Sequence, residues 1–113
     1  MFKQIFRHLR FEGFDVYHIG QHQGHCKEPY VVIKEDGRSN FLTGLAYDLV
    51  DIIMFYPLGH YSEFEGYINE AAQALKHLKP LKPTGDRTPI MIDDGVRAYT
   101  ASMRYQIFRR RDV

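Results

Sequence analysis

The sequence predicts an α+β fold, a mostly antiparallel sheet of about 5–6 strands with two helices, and three observations carry that expectation. Two segments, one at the N-terminus and one beginning near Ser62, place apolar residues at helical spacing. Several other segments are rich in β-branched and aromatic residues with a period of two. These strand-like runs follow one another across short turns instead of alternating singly with helices, the pattern of hairpins and not of βαβ units. At 113 residues the chain is expected to form a single domain over 1–113, because halving it would leave pieces too small for stable cores.

Phe2, Ile5, Phe6 and Leu9 fall at i, i+3, i+4 and i+7, the stripe of a short amphipathic helix. Gly13 stands where such a helix needs a left-handed closing residue. Residues 14–19 read as a first strand, with Val16, Tyr17 and Ile19 as strand formers. A polar loop, 20–28, follows. Tyr30 to Lys34 reads as a second strand running into a turn at Glu35-Asp36-Gly37, with a return strand expected over 39–43.

Tyr47 to Tyr56 reads as the central strand. Val50, Ile52, Met54 and Tyr56 share one face; Leu49, Ile53 and Phe55 share the other with Asp51. A strand apolar on both faces should be covered on both. An Asp in such a strand should pair with Arg or Lys of a neighbouring strand or subunit, or be wetted by solvent.

Ser62-Glu63-Phe64-Glu65 has the spacing of a capping box, opening a helix whose stripe of Phe64, Ile68, Ala71, Ala72 and Leu75 runs to about Leu78. Pro80, Pro83 and Gly85 mark 79–87 as a turn-rich loop. A hairpin closes the chain: 89–92, a turn at Asp93-Asp94-Gly95, and a long strand from Val96 to about Arg109. Along that strand Tyr99, Ala101, Met103, Tyr105 and Ile107 alternate with Thr100, Ser102, Arg104 and Gln106, giving one apolar and one polar face.

Composition narrows the function. Fifteen Lys and Arg against 14 Asp and Glu leave a net charge of +1, too little for a nucleic-acid binder that works by bulk charge. One cysteine, Cys26, allows no intrachain disulfide and fits a reducing compartment. The first ten residues alternate charge with apolar groups, unlike a signal peptide, and the longest apolar stretch is too short to span a bilayer. No membrane partner is expected.

Motifs for chemistry are sparse. His18, His22, His25 and Cys26 lie within nine residues, and imidazole with thiolate can hold zinc. The spacing matches no standard finger, so an exposed polar loop is the competing reading. His25 and Cys26 are neighbours, and in extended chain their side chains point apart, unsuited to a nucleophile–base pair. There is no P-loop, no G-x-G-x-x-G and no G-x-S-x-G, so neither catalysis nor a cofactor is indicated. Tyr47, Tyr56, Tyr61 and Tyr67 gather around the central strand and the second helix, and tyrosine suits a protein–protein interface.

Several strings together carry a resemblance. Asp15-Val16-Tyr17-His18-Ile19-Gly20 follows an amphipathic helix; Lys27-Glu28-Pro29-Tyr30-Val31-Val32-Ile33 and Val50-Asp51-Ile52-Ile53-Met54-Phe55-Tyr56-Pro57 come next. A helix ending Ala74-Leu75-Lys76-His77-Leu78 and a final antiparallel pair complete the order. Over nearly its whole length the chain resembles the tail-terminator, or tail-to-head joining, proteins of long-tailed bacteriophages and prophages of Gram-positive bacteria, often labelled minor capsid proteins.

The resemblance implies a non-enzymatic building block of the virion, assembled in the bacterial host cytoplasm. Such proteins form a ring, usually a hexamer, on the last ring of tail-tube protein; it stops tube growth and meets the head–tail connector protein. The expected partners are therefore further copies of the chain, tail-tube protein and connector, with DNA passing through unbound. His22, His25 and Lys27 in the first loop, Lys82 and Arg87 in the second, and Arg109, Arg110 and Arg111 at the C-terminus are expected assembly contacts on grounds of exposure. The polar face bearing Thr100, Ser102, Arg104 and Gln106 is the expected lumen lining. Rival readings are another connector component, a zinc domain or metal-dependent enzyme built on His18, His22, His25 and Cys26, and a monomeric regulatory module.

Overall fold

The computed structural model describes residues 2–22, 24–40 and 45–110. The elements run α1 (Phe2–Phe11), β1 (Val16–His18), β2 (Tyr30–Asn40), β3 (Leu45–Pro57), α2 (Tyr61–Leu75), β4 (Leu81–Arg87), β5 (Met91–Asp93) and β6 (Ala98–Arg110). One sheet holds all six strands in the order β1-β2-β3-β6-β4, with β5 also on β6. Every pairing is antiparallel except β1 with β2. This is the α+β architecture that the hairpin pattern predicts.

Both helices pack on one face of the sheet. Ile5 and Leu9 of α1 and Phe64, Ala71 and Leu75 of α2 are fully buried against Val31, Ile33, Val50, Ile52, Met54, Met103 and Ile107. Apolar burial of this kind, at roughly 25 cal/mol per Å², is the main force holding the layers together. The alternation read from β3 and β6 holds: Val50, Ile52 and Met54 point into this core, while Leu49, Asp51, Ile53 and Phe55 lie half-buried on the opposite face. α1 closes as its glycine requires. Gly13 takes φ +96, its N–H donates to the Arg10 carbonyl (3.0 Å), and the Phe14 N–H donates to Leu9 (2.9 Å), the paired bonds of a Schellman cap.

Four local expectations need correction. Glu35-Asp36-Gly37 is not a hairpin turn. β2 runs through it as a bulge, Asp36 and Gly37 together facing Leu49, with Gly37 at φ +97 supplying the left-handed residue. The return strand expected over 39–43 is thus the end of β2, and residues 41–43 lie outside the described residues. α2 begins one residue before Ser62, so the capping box does not form. His60 is the N-cap residue without a side-chain cap bond, and its Nδ1 instead meets Glu63 Oε2 at 2.8 Å.

The expected loop over 79–87 is mostly β4. Its pairing with β6 breaks between Pro83 and Arg87 around Gly85 (φ +90), and Thr84 Oγ1 repairs the ladder by donating to the Arg104 carbonyl at 3.1 Å. Proline is tolerated because β4 is an edge strand, with no ladder bond required on its outer side. In the last hairpin the turn extends to Arg97, at φ +53, so β6 starts at Ala98 and not Val96. Asp93 Oδ1 accepts the Gly95 N–H at 2.9 Å within that turn.

Among the described residues, cover on the second face lies at one end. The loop after β1 crosses it, burying Cys26 with Tyr30, Val32 and Ala98 beside Tyr17, Ile53, Phe55 and Val96. The Cys26 N–H donates to the Val96 carbonyl at 2.7 Å, fastening this loop to the β5–β6 turn. At the other end the ladder is long. Past Asp48↔Ile107 it continues through Tyr47↔Phe108, Ala46↔Arg109 and Leu45↔Arg110. The molecule is accordingly long, 51 × 25 × 24 Å.

Candidate functional site

The face away from the helices carries the polar groups that distinguish this sheet. Arg104 of β6 stands directly opposite Asp51 of β3, which stands opposite Lys34 of β2. Arg104 Nε donates to Asp51 Oδ1 at 2.8 Å and Nη2 to Oδ2 at 3.1 Å, a two-pronged bond that fixes the planar guanidinium. The β2 bulge brings Asp36 to the same Nη2. Hydrogen bonding to Asp51, reinforced by its charge and that of Asp36, pushes the Arg104 guanidinium still further up from its usual range. The Asp in a two-faced strand is therefore paired with an Arg of the neighbouring strand. Asp86, Arg87, Thr88 and Ser102 continue the strip towards the β4 edge around a shallow hollow.

Beyond this strip the face turns aromatic. His22 stacks on Tyr30 with centroids 3.9 Å apart, and Tyr30 stacks on Phe55 at 4.7 Å. Tyr17 meets both His22 and Tyr30 edge-on. Tyr17 also donates its hydroxyl proton to Asp15 (3.1 Å), and that bond raises its pKa above the ordinary tyrosine value. His22 Nδ1 is buried in this stack without a hydrogen-bond partner among the described residues.

The four sequence candidates for a metal site disperse. His18 leaves the loop to stack on Phe2 of α1 at 4.3 Å. His22 is held in the aromatic stack, and His25 is exposed. The buried Cys26 thiol points to the Glu28 carbonyl at 3.2 Å, and burial pushes it up to about 11, so the thiolate that zinc prefers is disfavoured at neutral pH. The physical reason is local: His18 belongs to β1, and the turns at Gly20 (φ +77) and Gly24 (φ +86) send His22, His25 and Cys26 to different surroundings.

Of the expected assembly contacts, Lys27, Lys82 and Arg87 are exposed, as is His25; His22 is not free but half-buried. Arg109 and Arg110 pair with Ala46 and Leu45 at the end of β6, and Arg111 lies outside the described residues. Of the grouped tyrosines, Tyr56 and Tyr67 serve the core beside Phe64, while half-exposed Tyr61 meets Tyr99 edge-on at 5.5 Å. Met91, Ile92 and Leu58 add exposed apolar surface near Tyr61 in sequence or space.

Side chains that do converge were missed by sequence reasoning: His8 of α1 and Glu12 just past its end, with His77 just past α2. The His8-x3-Glu12 spacing on a helix was a readable signal; that His77 joins it depends on how the helices pack. No helix among the described residues is long and apolar enough to cross a membrane. No protein-family model matches the chain, and no curated protein matches it.

Proposed function

We propose that this chain is a non-enzymatic assembly protein of a phage or prophage virion, a tail terminator that forms a ring on the tail tube and joins it to the head. The observation that carries the reading is the one-sided packing of the sheet. With both helices on one face, a long strip of the other is left to a lumen or a neighbour. The strip's central cations are already matched: Arg104 is held by Asp51 and Asp36, and Lys34 lies 3.9 Å from Asp36. A wall whose central cations are matched by carboxylates supports DNA passage without the phosphate grip that several free cations would impose.

The element order and the strings around Val16-Tyr17, Pro29-Tyr30-Val31-Val32 and Val50-Asp51-Ile52 support the same reading by their resemblance to tail-terminator proteins. The β4 edge offers backbone for contacts between copies, and the exposed Lys27, Lys82 and Arg87 offer charge to tail-tube or connector protein. A ring of about six copies in the virion, put together in the host cytoplasm, is the form proposed. The test is electron microscopy of the purified protein, alone and mixed with tail tubes of the phage or prophage that encodes it. Rings or capped tube ends are expected; bare tube ends and no rings at high concentration would reject the reading.

A further inference from the structure

We infer that His8, Glu12 and His77 form a binding site for a divalent transition-metal cation of the zinc class, which staples α1 to the C-terminal end of α2. The inference is independent of what the chain assembles with. Spacing of i, i+4 puts His8 and Glu12 on one side of α1. Packing of α1 against α2 then brings in His77 from the turn that follows α2. One ligand atom from each residue lies within 4.8 Å of the other two. Glu12 Oε1 is the hub, 4.0 Å from His8 Nε2 and 3.7 Å from His77 Nδ1.

Donors around a tetrahedral zinc ion stand about 3.3 Å apart, given bonds near 2.0–2.1 Å, so small side-chain rotations close the site. Two imidazoles and a carboxylate are a donor set that suits zinc, and leave a fourth position for water. Access is open: Glu12 and His77 line a cleft of about 450 Å³ with Glu70 and Gln73.

His8 Nε2 also lies 2.7 Å from the Ala74 carbonyl. Releasing that bond to take a metal does not orphan the carbonyl, because the His77 N–H already donates to it at 3.3 Å. The imidazole proton moves to Nδ1 in the process, and the ring stays neutral.

The experiment is a calorimetric titration of the full-length, tag-free chain with Zn²⁺, beside the variants His77→Ala, Glu12→Gln and His22→Ala/His25→Ala. His77 is 69% exposed, so its removal leaves the packing intact, and circular dichroism checks that each variant is folded. One Zn²⁺ per chain is expected, with affinity at least tenfold lower in His77→Ala and in Glu12→Gln and unchanged in the double loop variant. Absence of saturable binding, equal affinity in the α1–α2 variants, or loss of binding in the loop variant would each overturn the site.

Discussion

At the scale of single residues, Arg104 is the most consequential polar side chain. Its partner Asp51 is only 15% exposed, and Asp36 stands close by, so deleting the guanidinium would leave two carboxylates facing each other across the sheet. Charge-assisted bonds are worth about 1.5–3 kcal/mol, reduced here by partial exposure of the Arg side chain. Arg104→Met should therefore cost about 1–2 kcal/mol, read as a lower urea midpoint, and Asp51→Asn added to it should cost less than the sum of the two changes. Equal additivity would show that the pair does not act as a unit. Cys26 gives a pH signature. Burial raises its thiol from 9.0 to about 11, so the folded state holds that proton more tightly than the unfolded chain. Its contribution to stability is complete below pH 9 and drains away as the pH climbs through about 11. The urea midpoint should fall across that window, and should fall less steeply in Cys26→Ala; parallel slopes would exclude the thiol as a source.

At the scale of elements, the start of α2 is its weak point. His60 occupies the N-cap without bonding a helical amide, while its ring is spent on exposed Glu63. His60→Asp should supply the missing acceptor and favour the helix N-terminus, stabilising the fold by about 0.5–1 kcal/mol, visible as a rise in Tm. A lower Tm would mean that the His60 ring contact with Tyr56 outweighs the cap. The elements that were legible in the sequence are those with long, regular apolar periodicity: α1, α2, β3 and β6. Those misread had local chemistry that tertiary pairing overrode. Asp36-Gly37 reads as a turn because a left-handed glycine serves a bulge as well as a hairpin. Pro83 and Gly85 read as loop because sequence alone does not reveal that a strand lies at an edge. The Arg104–Asp51 pair was half legible, since the Asp called for a cation that only the register names. The His8–Glu12–His77 group was not, because its third member is set by helix packing.

At the scale of the whole molecule, the fold is extended for its length. Its radius of gyration is 14.8 Å, against about 13 Å for an ordinary domain of this size. Two long strands, β3 and β6, paired along 13 positions account for the excess. On the proposed ring-forming reading this geometry is economical, since a long paired strand end reaches a neighbour without a flexible linker that would have to be ordered on assembly.

The fastening of Cys26 to Val96 has a consequence for how the chain reaches this state. The bond joins the first loop to the last hairpin, so β2, β3, α2, β4 and β5 all lie between its two ends. Closing so long a loop brings an entropic cost that is offset only once the intervening sheet exists. The loop over the second face is thus expected to settle after β3 has found β2 and β6, and to be the first part to come loose when the protein is strained. If the proposed recruitment to a tube end holds, the last piece to fold would be the piece lying across the face that the proposal gives to assembly.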